Sequence, residues 1–340
     1  MSEQQIVLAS RPEGRPTRDT FRYETIELDA LKADQVLVET LYISVDPYMR
    51  GRMNDARSYS QPFELDAPIQ GGVVARVVES TSDLLTVGDT VVGMLDWATK
   101  SVVDAKQVRK IDATLAPVST ALGVLGMTGM TAYFGLLDIG NPQPGETVVV
   151  SAAAGAVGSI VGQIAKIKGA RVVGIAGSAE KIQYLKEELG FDEVINYKTE
   201  QIGEALDRTC PDGIDVYFEN VGGAIGDAVL DRLNPFARVP VCGAISGYNE
   251  QADLGPRVQS KLIIARARMQ GFLVGDYGKR FKEAAEQLGQ WVSNGELKYE
   301  ETIFEGFEQV PDAFLGLFDG SNTGKLLVKL KEYVKKVLLS

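Results

Sequence analysis

The segment TVVVSAAAGAVGSIVGQIAKIKGARVVGIA, residues 147–176, constrains the fold more than any other part of the chain. It predicts a buried strand, a turn of small residues, a helix closed by Gly169 and a second buried strand, in that order. Two parallel strands joined through a helix form a right-handed βαβ unit. The segment therefore indicates a parallel sheet with a nucleotide-binding turn after its first strand.

The turn fits the dinucleotide pattern G-x-G-x-x-G, with Ala153 in the first place followed by Gly155 and Gly158. The first residue must be small for the bend, Gly155 lets the backbone approach a pyrophosphate, and Gly158 lets the helix pack on the strand. The helix N-terminus attracts the phosphate charge. Small-residue turns also serve packing alone, so it is the order strand, turn, helix, strand that favours a dinucleotide site.

The end of the second strand predicts which dinucleotide binds. An acidic residue there would bind a ribose 2′-hydroxyl, but this chain has Gly177 and Ser178, followed by Lys181. A carboxylate repels a 2′-phosphate, whereas a hydroxyl and an ammonium group attract it. The sequence therefore predicts NADP(H) rather than NAD(H), the alternative for Lys181 being a solvated helix lysine.

The rest of the chain divides at about residue 120. Before it, Val-rich segments at 35–43, 71–80 and 87–94 predict a small β-barrel or sandwich. After it, strands alternate with helices, which predicts an α/β domain with a doubly wound parallel sheet. Its further strands are predicted at 193–196, 214–218, 237–242 and 269–274. We expect one domain from residues 1–120 and 300–340, with a strand-like tail that rejoins it, and another from residues 121–299.

The composition narrows the chemistry. The 340 residues include no histidine and two cysteines. A Ser-His-Asp triad, a Cys-His pair and a histidine-ligated zinc are therefore excluded, and we expect no metal. An acid or base must be Tyr, Lys, Asp, Glu or Cys, or come from a cofactor or solvent.

Charge and cysteine usage bear on partners and location. The net charge of −11 argues against nucleic acid or an anionic membrane as the main partner. Two thiols do not make a disulfide framework, which favours a reducing compartment. The polar amino terminus is unlike a signal peptide and no apolar run approaches the length of a membrane span. We expect a cytoplasmic protein.

Eight stretches spread along the chain resemble the zinc-free enone reductases of the medium-chain dehydrogenase/reductase superfamily, the branch of prostaglandin reductase and the plant NADP-dependent 2-alkenal reductases. They are SVDPYMRGRM (44–53), LGMTGMTAYFGL (125–136), SAAAGAVGSIVGQIAKIKGARVVGIAGSAEK (151–181), NYK (196–198), DVYFENVGG (215–223), CGAISGYN (242–249), GFLV (271–274) and NTGK (322–325). The zinc-dependent relatives carry a catalytic cysteine where this chain has SVDPYMR.

The resemblance implies a GroES-like first domain, a Rossmann second domain and a homodimer. It also implies a set of cofactor contacts for the pyrophosphate, the 2′-phosphate and the nicotinamide. They are Ala154, Gly155, Ala156, Val157, Gly158, Ser178, Lys181, Tyr197, Asn220, Cys242, Gly243, Ala244, Ile245, Ser246, Tyr248, Phe272, Leu273, Val274 and Asn322.

The implied reaction is NADPH-dependent reduction of the C=C bond of α,β-unsaturated aldehydes and ketones, by hydride transfer to the β-carbon without a metal. Tyr248 resembles the family tyrosine whose hydroxyl reaches the substrate oxygen, and Tyr48 follows Pro47 where it could touch substrate. The alternatives are a packing role for each tyrosine. Loop 53–68, with Arg57, Tyr59 and Phe63, could shape the acceptor pocket.

Two other functions stay open on the sequence. One is an NADPH quinone reductase of the same fold. The other is a non-catalytic NADPH-binding sensor or structural protein, which would bind NADPH without oxidising it. Activity on quinones, or binding without turnover, would distinguish them from an enone reductase.

Overall fold

The computed structural model describes residues 3–114, 116–250 and 254–331. Its Cα positions divide the chain into two compact units. The first comprises Met1–Leu122, Glu301–Ser321 and Leu326–Ser340, and the second comprises Gly123–Glu300 and Asn322–Lys325.

The first unit is built mainly from antiparallel strands. Val and Ile alternate with polar residues along these segments, a pattern that suits a sheet with one buried face. Its amino-terminal elements are β1 Glu3–Leu8, β2 Phe21–Ile26, β3 Gln35–Ser44, the short helix α1 Met49–Arg52, β4 Gln70–Ser80, β5 Thr90–Asp96, β6 Lys100–Asp104 and β7 Val108–Lys110. Strands β1 and β2 pair antiparallel as a separate two-stranded sheet.

The second unit alternates strands and helices. Its elements are α2 Met127–Phe134, β8 Thr147–Val150, α3 Gly158–Ile167, β9 Arg171–Ala176, α4 Ala179–Gln183, β10 Glu193–Asn196, α5 Ile202–Thr209, β11 Ile214–Phe218, α6 Gly223–Leu230, β12 Leu233–Val241, α7 Gln259–Ala265, β13 Arg268–Gly271 and α8 Phe281–Ser293. Helices α2 and α4 each continue as a π-helical turn, over Gly135–Gly140 and Tyr184–Glu188.

The six strands of this unit form one parallel sheet in the order β10-β9-β8-β11-β12-β13. The chain moves outward from β8 through β9 to β10, then returns to place β11 on the other side of β8. The strand order therefore reverses between β8 and β11, and ligands of doubly wound sheets bind beyond the carboxyl ends of the strands at such a point. The predicted parallel sheet is confirmed.

The tail completes the first unit. Strand β14 Glu301–Glu305, helix α9 Val310–Gly316 and strand β15 Lys325–Lys329 follow α8. Strands β15 and β14 extend the sheet of the first unit, whose order is β14-β15-β3-β4-β5-β7, with β6 also paired to β3. The strand predicted near residues 323–330 is β15, and it returns to the first unit as expected.

Strand β12 differs most from the sequence-based expectation. The strand was expected at residues 237–242, whereas β12 spans Leu233–Val241 and follows soon after α6, which ends at Leu230. Pro235 cannot continue a helix, and Phe236 has a φ of 68°. The guanidinium of Arg266 lies 4.7 Å from the centroid of the Phe236 ring. Pairing with β11 shifts register here, which marks an irregular start to the strand.

Among the described residues, no helix is both long and apolar enough to cross a lipid bilayer.

Candidate functional site

The turn after β8 packs closely on the start of α3. A Cβ at position 158 would stand 2.4 Å from the carbonyl oxygen of Ala152, so only glycine fits there, as the motif predicts. A Cβ at position 155 would stand 3.2 Å from the same oxygen. Ala152 itself has a φ of 48°, whereas Ala153 lies outside the residues with positive φ. Alanine is therefore tolerated in the place of the first motif glycine because the bend falls one residue earlier.

The end of β9 brings together four of the predicted 2′-phosphate groups and one lysine that the prediction missed. A Cβ at Gly177 would stand 2.7 Å from Cε1 of Tyr197, so the ring lies over the glycine. Burial lowers the pKa of the Lys181 ammonium, and the positive charge of Lys198 lowers it further. The amines of Lys181 and Lys198, beside the Tyr197 phenol, form a donor set suited to an anion.

Ser178 has a structural task at the same place. Its hydroxyl oxygen accepts the backbone N–H of Lys181 at 3.3 Å, which caps the N-terminus of α4. The backbone N–H of Glu180, and then the Ser178 hydroxyl, lower the pKa of the Glu180 carboxyl by hydrogen bonding to it. A contact between Ser178 and a phosphate stays a prediction.

The loop after β11 is organised by Ser151 and Glu219, which sequence reasoning did not single out. Glu219 is 3% exposed. Its Oε1 accepts the Ser151 hydroxyl at 3.0 Å and the backbone N–H groups of Val221 and Gly222, each at 2.8 Å. Asn220 donates its backbone N–H to Ser151 Oγ at 2.9 Å and its side-chain amide to the Ser151 carbonyl at 2.7 Å.

The loop after β12 is hydrogen-bonded to the loop after β11. The carbonyl oxygen of Glu219 accepts the N–H groups of Cys242 and Gly243 at 2.9 and 3.1 Å. The carbonyl oxygen of Val221 accepts both the hydroxyl and the backbone N–H of Ser246, at 2.6 and 3.0 Å. Six of the predicted nicotinamide-side residues therefore lie in one connected pair of loops. They are Asn220, Cys242, Gly243, Ala244, Ile245 and Ser246.

Tyr248 follows this second loop within the same unit. Its hydroxyl oxygen accepts the backbone N–H of Ala244 at a long 3.4 Å. Burial raises the pKa of the phenol above its ordinary value, with an opposing effect from the Ala244 hydrogen bond. The phenol is thus neutral at neutral pH. Because its oxygen accepts the hydrogen bond from Ala244, its own O–H does not donate to Ala244.

Cys242 is half-buried, and its thiol is not activated. Burial, and then the charge of Glu219, raise its pKa to about 12. A thiolate is the nucleophilic form of cysteine, so this thiol is inert at neutral pH.

The segment after β13 packs partly into the second unit. A Cβ at Gly135 would stand 2.4 Å from Cζ of Phe272, and the Phe272 ring meets Phe218 edge-on with centroids 6.3 Å apart. Val274 also packs against this core, whereas Leu273 is exposed. Contacts of these residues with a nicotinamide stay a prediction.

Asn322 begins a four-residue segment, Asn322–Lys325, that belongs to the second unit although the chain on both sides of the segment belongs to the first. Its side-chain amide donates to the carbonyl of Gly324 at 2.8 Å. Gly324 in turn donates its N–H to the carbonyl of Ala154 at 2.8 Å, and a parallel bridge joins Gly324 to Gly155. The tail thus borders the turn that contains Ala154, Gly155, Ala156 and Val157.

Tyr48 lies in the first unit, just before α1, and packs against its core. Burial, and then the charge of Asp46, raise the pKa of its phenol far above the ordinary value. Its substrate role stays a prediction.

Loop 53–68 is held to the first unit by two arginines. Arg11 donates to the carbonyl oxygens of Met53 and Phe63 at 2.9 and 3.1 Å. The guanidinium of Arg52 lies 4.0 Å from the Phe63 ring centroid, and Phe63 is buried in the core. Phe63 therefore anchors the loop, whereas Tyr59 is exposed.

The second unit fits a phosphorylated dinucleotide on three observations. The turn after β8 leaves no room for a side chain at Gly158 and little at Gly155, the end of β9 gathers two lysines and a tyrosine, and the loops beyond β11 and β12 are joined by hydrogen bonds. In the described residues, no group of three or more His, Cys, Asp or Glu side chains is arranged to hold a metal ion.

Comparisons with known proteins identify the family of the chain. Residues 4–111 match the family model described as the N-terminal domain of oxidoreductase, and residues 156–291 match that described as zinc-binding dehydrogenase. The chain is 63% identical to the putative NADP-dependent oxidoreductase YfmJ of Bacillus subtilis (strain 168), covering 97% of this chain and 98% of that protein. It is 46% identical to the NADPH-dependent curcumin reductase of Escherichia coli (strain K12), covering 95% and 96%.

A solved structure extends the likeness to three dimensions. The crystal structure of CurA in complex with NADPH from Vibrio vulnificus superposes with a TM-score of 0.93 at 45% identity, covering 97% of this chain and 100% of that one. The chain therefore belongs to the medium-chain dehydrogenase/reductase superfamily, in the branch of the NADP-dependent alkenal and enone reductases.

Proposed function

We propose that this chain is an NADPH-dependent oxidoreductase that reduces the C=C bond of α,β-unsaturated aldehydes and ketones. The observation that carries the proposal is the loop pair beyond β11 and β12, which places the Tyr248 phenol beside a buried, hydrogen-bonded platform in a chain of this family. The names of its relatives, an NADPH-dependent curcumin reductase and an NADP(+)-dependent 2-alkenal reductase, support the same reaction.

The cofactor is NADPH, held by the second unit. The turn Ala154–Val157 and the N-terminus of α3 would meet the pyrophosphate, because backbone N–H groups at a helix start favour anions. Lys181, Lys198 and Tyr197 would hold the 2′-phosphate, since their donors converge where β9 and β10 end. Asn220, Cys242–Ser246, Phe272–Val274 and Asn322 would line the nicotinamide side.

When bound, NADPH supplies a hydride to the electrophilic β-carbon of the conjugated substrate. The chain's own contribution is to hold the substrate and to stabilise the negative charge that develops on the carbonyl oxygen, before the α-carbon takes up a proton from Tyr248 or from water. The Tyr248 hydroxyl would donate a hydrogen bond to that oxygen, which is the kind of preorganised donor whose loss costs about 2.7–4 kcal/mol of transition-state stabilisation. Positioning the β-carbon about 3–3.5 Å from the donor atom would supply much of the rest.

The first unit would provide further substrate contacts. Tyr48 has a buried phenol that keeps its proton, which suits a hydrogen-bond donor rather than a base. We assign residues 1–120 and 300–340 to this GroES-like substrate domain and residues 121–299 to the cofactor domain.

A cytoplasmic location also stays a prediction. Its support is that the chain has only two cysteines, which favours a reducing compartment.

A homodimer is the assembly we propose. Strand β13 ends the described sheet of the second unit and leaves an unpaired edge, which is a template for strand pairing. Ile263 and Ile264 on the adjacent helix α7 are 75% and 77% exposed, an arrangement that suits burial against a second copy. Sedimentation velocity of Ile263→Asp and Ile264→Asp should give monomers, and a wild-type monomer would contradict the proposal.

The reaction is tested by following NADPH consumption at 340 nm with enals, enones and quinones. We expect the highest kcat/KM with an enal or enone, and enone products saturated at the C=C bond with the carbonyl intact. Faster turnover of quinones would replace the assignment by a quinone reductase. Tight NADPH binding with no turnover of any acceptor would leave a sensor or structural protein instead.

A further inference from the structure

We propose that Glu219 is a positioning residue for the reaction, because it fixes the two loops that would contact the nicotinamide and that lead to Tyr248. The effect on the reaction rests on the proposed function, whereas the effect on the two loops does not. We call Glu219–Gly222 the β11 loop and Cys242–Tyr248 the β12 loop.

Glu219 is a buried charged side chain on which several donors converge. It is 3% exposed, and its Oε1 alone accepts three hydrogen bonds, from the Ser151 hydroxyl, the Val221 N–H and the Gly222 N–H. Carboxylates are rarely this buried in proteins without partners. Hydrogen bonds from N–H groups to an ionised carboxylate are about twice as strong as neutral ones. This cluster therefore holds the β11 loop in one conformation.

The backbone beyond Glu219 needs such an anchor. Gly222 and Gly223 have φ values of 71° and 56°, so two successive residues adopt the left-handed region. Glycine reaches these angles without a steric penalty but loses more backbone entropy on ordering than other residues. The carboxylate offsets that cost by binding the Gly222 N–H directly.

The anchored β11 loop in turn holds the β12 loop. Its carbonyl oxygens accept N–H groups of Cys242, Gly243, Ile245 and Ser246 and the Ser246 hydroxyl, at distances of 2.6–3.2 Å. The side chain of Tyr248 then meets the backbone N–H of Ala244. A shift of the β11 loop would thus move the predicted nicotinamide contacts together with the predicted donor of Tyr248.

A glutamine at position 219 would keep the volume and lose the anchor. A neutral amide oxygen has two lone pairs for the three donors, and it makes weaker hydrogen bonds to N–H groups than a carboxylate oxygen does. Asp215 offers a matched control on the same strand. It accepts the Thr147 N–H and the Asn234 amide, each at 2.8 Å, but at the amino end of β11, away from both loops.

The first experiment uses no cofactor. Hydrogen–deuterium exchange of the cofactor-free full chain should be at least tenfold faster in peptides covering residues 219–222 and 242–248 in Glu219→Gln than in the wild type. Asp215→Asn should leave these peptides unchanged. Equal protection of both loops in Glu219→Gln and the wild type would overturn the proposal.

The second experiment separates positioning from general stability. In Glu219→Gln we expect the Kd for NADPH, from its fluorescence on binding, to rise at least tenfold, and kcat with an enal to fall at least tenfold. Asp215→Asn should change neither the Kd nor kcat by more than about twofold, even if its urea midpoint falls as much as that of Glu219→Gln. A loss of activity in Glu219→Gln that follows the folded fraction alone, with unchanged Kd, would reduce Glu219 to a structural residue.

If Glu219→Gln fails to fold, Ser151→Ala tests the same cluster, because it removes one donor to Glu219 and the acceptor of the Asn220 N–H. We expect faster exchange in the same two loops, and unchanged exchange would overturn the proposal. Failure of the proposed function is distinct from these outcomes. A wild-type protein that reduces no enal or enone would refute the reaction, while the exchange data would still decide whether Glu219 fixes the loops.

Discussion

The phenol ring of Tyr197 lies over Gly177, so that a Cβ at residue 177 would stand 2.7 Å from ring atom Cε1 and 2.9 Å from the phenol oxygen. Distances under 3 Å exclude a side chain at 177 unless the ring moves. The place where many dinucleotide-binding turns carry a ribose-binding acid is therefore covered by the ring of the residue that would help hold a 2′-phosphate. We predict that this glycine–tyrosine pair favours NADP(H).

The variant Gly177→Asp should change the cofactor preference. It displaces Tyr197 and adds a carboxylate that repels a 2′-phosphate, so we expect kcat/KM for NADPH to fall roughly tenfold to a hundredfold, equivalent to about 1.5–3 kcal/mol. The value for NADH should fall much less. Gly177→Ala separates the two causes, because it displaces the ring without adding charge. Equal losses for NADPH and NADH would contradict this reading of the pair.

Lys181→Ala should weaken NADPH selectively. Burial and the nearby charge of Lys198 disfavour the charged form of Lys181, which lowers its pKa. A bound phosphate would favour the charged form. We expect KM for NADPH to rise about tenfold or more, with KM for NADH unchanged. Lys186→Ala is the control, since Lys186 is paired with Glu193 on the surface. An unchanged ratio of NADPH to NADH activity would place Lys181 among ordinary solvated lysines.

Tyr248→Phe should lower kcat with an enal by about 10²–10³, the usual cost of removing an oxyanion donor, while the Kd for NADPH changes little. Because burial raises the pKa of Tyr248 above its ordinary value, the protonated donor persists as pH rises toward 10. The wild-type rate should therefore show no loss assigned to this group between pH 6 and about 9. Turnover unchanged in Tyr248→Phe would remove it from the chemistry.

Both thiols should be unreactive in the folded protein. Burial raises the pKa of Cys210 above its ordinary value and that of Cys242 to about 12. At pH 8 the thiolate fraction of each is small, so iodoacetamide should neither label the native chain quickly nor inhibit NADPH oxidation. In urea, where both residues are exposed, two thiols per chain should react with Ellman's reagent. Rapid inhibition of the native enzyme would show Cys242 to be accessible and activated.

Much of the second unit could be predicted, because its central strands β8, β9 and β11 are mainly buried runs rich in Val and Ile between turns. The expected strand 193–196 and β10 have the same bounds, and 214–218 and β11 likewise. Helix α7 was not expected, since Ile263 and Ile264 are exposed and give no core-facing pattern. Strands β1 and β2 were also not expected, because they form a short separate pair whose partners are distant in sequence.

Some residues of the candidate site could likewise be predicted from the sequence, and others could not. Motif glycines and Lys181 could be singled out because their tasks depend on local backbone and charge. Glu219 could not, since the sequence gives a carboxylate after a strand but not the three donors that fold around it. Lys198 was quoted only within the segment NYK, and its charge matters because β10 ends beside β9. Such roles arise from tertiary contact rather than from spacing along the chain.

The hydrogen bond from Gly324 to Ala154 has a consequence for anyone who divides or recombines this chain. A contiguous fragment of residues 123–300 would leave the Ala154 carbonyl without its donor and the phosphate turn without its neighbour. A chimera that exchanges the cofactor half between relatives should therefore carry Asn322–Lys325 along with it. By their contacts these four residues belong to the second unit, although the rest of that unit ends about twenty residues earlier, at Glu300.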